Sequence, residues 1–230
     1  MNTQKANALV APEQKIRMRF SKTGTLKYIG HLDFLRVFQQ MVRRANIPVA
    51  YSQGFNPHQI LSFALPLSLG MASINDYADM TITQQLNKTI MPDQIVDALN
   101  TVAPSGLKVT AVYMAAGRPA AAATVAADYA LDTDLPREIL QKRAHDIMQA
   151  KTLVIPKKTK SGIKDTDIRA DIFDIAVPLQ GEIVMKLSAG SAKFLNPLLV
   201  AEILIADKPS PSSLTRLELY QSGENGFYSL

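Results

Sequence analysis

The amino-acid sequence predicts an α+β protein of two tandem βαββαβ halves with antiparallel sheets. Three features predict it. Lys15–Phe20 alternates polar and apolar residues without a break, the period of a strand with one buried face. His31–Asn46 carries apolar residues at helical spacing. The order strand, helix, strand, strand, helix, strand then runs twice, on either side of a Gly-, Pro- and Ala-rich stretch near residue 117. With 230 residues, 47% of them hydrophobic, the chain has material for two cores.

The first half is expected over residues 15–115, after a disordered tail at 1–14. In its opening strand Ile16, Met18 and Phe20 point one way, and Lys15, Arg17 and Arg19 the other. Ser21–Thr25 reads as a loop. Phe34, Leu35, Phe38, Met41, Val42 and Ala45 form the apolar arc of the first helix, and Asp33 meets the positive end of its dipole. Pro48 follows and stops it. Val49–Ser52 reads as a short strand and Gln53–His58 as a loop. Gln59–Pro66 and Asn75–Thr83 are strands joined around Gly70. Pro92–Val102 is a helix with proline in its first turn, and Leu107–Met114 closes the half.

Residues 116–126 read as a linker. The second half, 127–222, repeats the order. Asp128–Asp132 is a strand, and Pro136–Ala150 a helix with Ile139, Leu140, Ile147 and Met148 inward. Thr152–Ile155 is a strand and Lys157–Lys164 a basic loop. Ile168–Pro178 and Glu182–Leu187 pair through a turn at Gln180-Gly181. Asn196–Ala206 is a helix, Leu214–Tyr220 the last strand, and 223–230 a tail. This order is that of the ferredoxin-like unit.

Composition excludes several chemistries. The chain has no cysteine, so it forms no disulfide, no zinc–thiolate site and no thiolate-held iron–sulfur cluster. A cytoplasmic location fits that composition. The first ten residues hold one lysine and no apolar core of signal-peptide length, and no apolar run approaches the ~20 residues of a membrane helix. No nucleophile elbow, P-loop or dinucleotide fingerprint occurs. The net charge of +5 resides in residues 1–115, with 11 Lys/Arg against 6 Asp/Glu. An anionic partner is the expectation.

Two sets of cations are the candidate nucleic-acid contacts: Lys15, Arg17 and Arg19 on a helix-free sheet face, and Arg36, Arg43 and Arg44 on the first helix. Each set also reads as a merely solvated surface. His31, Asp33 and His58 are weak catalytic candidates, His31 as acid/base with a carboxylate to orient it. They also read as capping or hydrogen-bonding groups, and their spacing predicts no metal site. The turn-rich Gly54-Phe55-Asn56, with Asp167 and Arg169, is expected to line a pocket between the halves.

The stretch MRFSKTGTLKYIGHLDFLRVFQQMVRRANIPVAYSQGFNPHQILSFALPLSLGMAS closely resembles a radical-SAM-linked conserved domain of unknown function. Gly-His-Leu-Asp, Arg-Arg and Ser-x-Gly-Phe-Asn-Pro carry the likeness. Lys164 with Asp167-Ile168-Arg169, Ser188–Gly190 with Asn196-Pro197, and Arg216 with Tyr220 extend it over roughly 15–220. The resemblance implies a bacterial protein, here in its stand-alone form, that works with a radical-SAM protein. It implies an RNA-related role, with tRNA or rRNA as the RNA. S-adenosylmethionine and an iron–sulfur cluster would then belong to the partner, and this chain would need no cofactor. The family brings no catalytic residue with it. An RNA-binding accessory module is therefore the leading expectation. An RNA-processing or modifying enzyme and a pure protein-interaction module are the alternatives.

Overall fold

Alternation in the first strand sets the layers. A computed structural model describes residues 12–83, 91–159, 162–179, 182–207, 209–210, 213–224 and 226–230. Strand β1 (Glu13–Lys22) turns Ile16, Met18 and Phe20 into a core beneath helices α1 (His31–Arg44) and α2 (Pro92–Val102). Phe20, Phe34 and Phe38 join Phe63 in one aromatic cluster, with Phe20–Phe38 centroids 5.2 Å apart and Phe34–Phe63 5.3 Å. Asn46, just past α1, takes a left-handed φ of 53°, which its short polar side chain tolerates.

β1 lies between β3 (Ala72–Thr83) and β4 (Leu107–Met114), antiparallel to both, and β2 (Leu61–Phe63) pairs with the outer side of β3. The short helix α3 (Ala120–Ala123) leads directly into β5 (Thr124–Leu131). β5 pairs with β9 (Ile183–Ser188) and β10 (Leu214–Gly223), and β8 (Ile172–Ala176) lies outside β9, again all antiparallel. Helices α4 (Arg137–Gln149) and α5 (Pro197–Ile205) cover the second core. Asn196 caps α5 by accepting the Leu198 amide at 3.1 Å.

The expectation of two sheets needs correction. β3 and β10 pair side by side, so the strands form one nine-stranded sheet, largely antiparallel, in a mixed α+β chain. An unpaired strand edge is a row of unsatisfied backbone groups, and pairing removes it from both halves at once. The backbone seam is short: only Thr215↔Ala72 and Arg216↔Ser73 are in register. Side chains carry it further. Asn75 Nδ2 donates to Leu217 O at 3.0 Å, Arg216 meets Asp76 at 2.5 Å, and Tyr77 Oη donates to Glu218 Oε1 at 2.6 Å.

Other expectations also change. Of the expected Lys157–Lys164 loop, residues 157–159 and 162–164 lie instead in a separate two-stranded ribbon of β6 (Val154–Thr159) and β7 (Gly162–Asp167), and residues 160–161 lie outside the described residues. The long strand from Ile168 begins only at Ile172, after a 3-10 turn at Arg169–Asp171. Val49–Ser52 contributes isolated bridges, Val49↔Ile82 and Tyr51↔Gln59, rather than a strand. Ile139 faces outward on α4, where Ala144 takes the inward place. Of the expected 1–14 tail, residues 1–11 lie outside the described residues, and Glu13 and Gln14 belong to β1. The 223–230 tail contains β11 (Gly226–Ser229), which forms a hairpin with β10. The Gln180-Gly181 turn lies outside the described residues.

Removing one partner of a buried ion pair strands the other charge. Arg216→Met should lower unfolding free energy by about 3–5 kcal/mol in a urea titration. An unchanged midpoint and slope would show that the seam does not depend on this pair.

Candidate functional site

Strand phase decides where each expected site residue lies. Lys15, Arg17 and Arg19 do share the face away from α1 and α2, but that face is not open at Arg17. Across β1–β3, Arg17 stands opposite Asp79. Its guanidinium binds that carboxylate at 2.7 and 3.1 Å and donates to Arg118 O at 3.0 Å. The Ala120 amide donates to the same carboxylate at 2.7 Å. Arg17 is thereby buried, and residues 115–120 arch over it. Arg19 is half-buried and donates to Thr110 Oγ1 at 3.2 Å. Lys15 alone of the three is exposed.

Arg36, Arg43 and Arg44 lie on the solvent side of α1, the opposite side of the layer from Lys15. The two sets of cations therefore do not form one surface. Arg36 pairs with Asp33 at 2.8 Å, both largely exposed, a contact worth a few tenths of a kcal/mol. Arg43 and Arg44 end the helix, where its dipole is negative and cations are favoured.

His31, Asp33 and His58 do not converge. His31 begins α1 with its ring edge against Phe63 at 5.7 Å. His58 belongs to a loop closed on itself. Its Nδ1 lies 2.8 Å from Ser52 Oγ, and the Ser52 amide donates to His58 O at 2.8 Å. That loop is tied down at Gln59, whose Nε2 donates to Gln39 O, eight residues or about 12 Å along α1 from His31. Gly54 at the loop tip holds φ of 120°, which a side chain would strain, and it presents Phe55 entirely to solvent, with Asn56 beside it also exposed.

Asp167 and Arg169 are not at the junction of the halves either. Asp167 Oδ1 accepts the Leu153 and Arg169 amides at 2.8 and 3.0 Å, and these bonds hold its carboxyl below the ordinary range. Arg169 donates to Met148 O at 2.7 Å and Ile172 O at 2.8 Å. Both tie the end of α4 to the turn before β8. They are structural bonds inside the second half.

The residues that do meet between the halves are ones that sequence reasoning passed over. Lys22 continues the inward phase of Phe20, and Asp76 stands opposite Phe20 in register. Both are buried with Arg216 on the helix side of the sheet. Lys22 Nζ donates to Ile29 O at 2.8 Å and lies 4.7 Å from the Phe34 ring centroid. Burial pushes its ammonium below the usual lysine value, with Arg216 adding to the shift and Asp76 opposing it. Arg216 also donates to Leu65 O and Pro66 O at 3.0 and 3.2 Å, and hydrogen-bonds Tyr129. A charge at an inward strand position is the signal that marks all three. His31 lines the narrow crevice above Lys22 and Asp76, so the start of α1 is fixed to this cluster.

Among the described residues no group of three or more His, Cys, Asp or Glu side chains is placed to hold a metal. No described helix is long and apolar enough to cross a membrane. Fold and site together define a mixed α+β scaffold, pinned by buried charges, with exposed cations on α1 and exposed aromatics at Tyr28, Tyr51 and Phe55. Residues 15–197 match the model of uncharacterised proteins conserved in bacteria (DUF2344), and the chain belongs to that family. No curated protein matches it.

Two outcomes follow from these contacts. Arg17→Ala should cost about 3 kcal/mol of stability, as loss of a buried ion-pair partner does, measurable by denaturant titration. A loss confined to ligand binding would contradict its structural placement. The second outcome concerns alkaline pH. Burial pushes the Tyr113 phenol up to about 12 and shifts Tyr77 and Tyr220 upward as well, aided there by the carboxylates of Glu218 and Asp128. The folded protein then keeps protons that the unfolded chain releases near pH 10, so stability falls as pH rises past about 10. Burial shifts Tyr129 upward too, so Lys22, shifted downward, acts in the opposite sense as one group against four. A urea midpoint that holds level from about pH 9 to 11 would contradict this.

Proposed function

We propose that this protein is an RNA-binding accessory module that acts with a radical-SAM enzyme in tRNA or rRNA modification or processing. The outer side of α1 and the 53–58 loop form its RNA surface. The observation that carries this reading is that exposed cations and exposed aromatics occur together there. Arg36, Arg43 and Arg44 line α1, Phe55 and Tyr51 stand on or beside the loop, and Lys27 Nζ lies 5.2 Å over the exposed Tyr28 ring. From Lys27 to Gly70 there are four Lys/Arg and one carboxylate, Asp33. Phosphate neutralisation by such cations releases counterions, and flat exposed rings stack unpaired bases. Single strands and loops are the RNA forms whose bases are free to stack in this way.

The radical-SAM partnership is supported by the resemblance of the Gly30–Asp33 and Ser52–Pro57 motifs. On this reading the cluster and S-adenosylmethionine reside on the partner, in the cytoplasm, and this chain presents the RNA. Each half is read as a ferredoxin-like unit, supported by strand orders β4-β1-β3-β2 and β10-β5-β9-β8.

Fluorescence anisotropy with a labelled single-stranded RNA tests the surface. Affinity should fall steeply with salt, and Arg43→Ala/Arg44→Ala should reduce the log–log salt slope by about 1.4, at about 0.7 per phosphate. Phe55→Ala should weaken binding about tenfold with the slope unchanged. Absence of binding at low salt, or a slope indifferent to the two arginines, would overturn the reading.

A further inference from the structure

A hollow lies on the opposite side of the sheet from α1. Its floor is set by register. Lys15 stands opposite Thr81 across β1–β3, and Ser62 opposite Asp79 across β2–β3. Directly opposed residues share a face, so these four project away from α1 and α2. The arch that follows β4 makes one wall. It starts where the Ala115 amide donates to Lys15 O at 3.0 Å and lands where the Ala120 amide meets Asp79. Pro119 on the arch and Ile60 just ahead of β2 add apolar lining, and the exposed Arg118, whose Nη2 donates to Ala122 O at 2.6 Å, joins Lys15 as a second cation there. The cavity is about 180 Å³, below the roughly 300–1,000 Å³ of pockets for drug-sized ligands.

We propose that this hollow receives one unstacked base of the same bound RNA strand, with Lys15 and Arg118 on its flanking phosphates. This inference rests on the RNA reading above. The space takes a single ring system rather than a whole nucleotide. Ile60 and Pro119 offer apolar surfaces to the faces of a flat ring. The Ser62 and Thr81 hydroxyls offer its edge groups that both donate and accept hydrogen bonds. Asp79 does not repel the strand, because Arg17 and the Ala120 amide already occupy its carboxylate. The position fits as well. Ile60 is two residues past His58, so the hollow and Phe55 lie at the same edge of the first half. A strand crossing Arg43 and Arg44 passes Phe55 and reaches the hollow without leaving the protein.

The test uses labelled ten-nucleotide oligouridylate and oligoadenylate with the full chain. Ser62→Phe fills the hollow from a solvent-exposed position on β2 and removes no charge. It should weaken binding about tenfold, on the scale of losing one well-held base, with the salt slope unchanged. Lys15→Ala should lower the slope by about 0.7. Wild-type affinity in Ser62→Phe together with an unchanged slope in Lys15→Ala overturns the base site while the α1 surface stands. Failure of the wild-type chain to bind either oligonucleotide at low salt overturns both the surface and the base site.

Discussion

The contact between Asp76 and Arg216 holds the molecule together as one sheet. β3 and β10 pair through two residues and then diverge, so backbone bonds alone join the halves weakly. A buried guanidinium on a buried carboxylate crosses that gap, and the same guanidinium clasps the Leu65 and Pro66 carbonyls. Buried charges are costly unless paired and hydrogen-bonded, and this one reaches a carboxylate and two carbonyls through Nη1 and Nη2, while its buried Nε has no partner. Lys22 extends the cluster to Ile29, immediately before α1. The charges that join the halves thereby also fix where the basic helix begins.

That anchoring divides the basic residues by role. Arg17, Arg169 and Arg216 are taken up by carboxylates and carbonyls and act within the fold. Arg36, Arg43, Arg44 and Lys15 remain at the surface, on two sides of one layer. A ligand that uses both sides must pass around the edge where the 53–58 loop stands. A flexible strand does this, whereas a stiff duplex does not. On the proposed reading, the exposed Phe55 at the turning point would favour a single strand over a duplex.

The layers were legible in the sequence because periodicity reports burial directly. The Ile16, Met18, Phe20 alternation and the Phe34, Phe38, Met41, Val42 arc both reappear as the first core. What remained hidden depended on neighbours distant in sequence. Period two places Arg17 opposite the core but is silent about Asp79, 62 residues away, or the arch that covers the pair. Lys22 and Asp76 sit at inward positions, where a charge is a warning, yet the warning has meaning only once Arg216 arrives from the other half. Asp167 and Arg169 are expected in a pocket between the halves, while the turn around Arg169–Asp171 directs both to backbone groups. His31 and His58 lie close in sequence, and α1 with its following loop carries them apart. The joining of the two sheets had no local signature, since it depends on how two distant edges meet.

Hydrogen exchange of the full chain with and without a single-stranded oligoribonucleotide tests the central claim most directly. RNA should slow exchange in the 31–44 helix and the 51–60 segment, and leave the 137–149 helix unchanged. Protection confined to the second half, or none at RNA concentrations that saturate binding, would contradict the account.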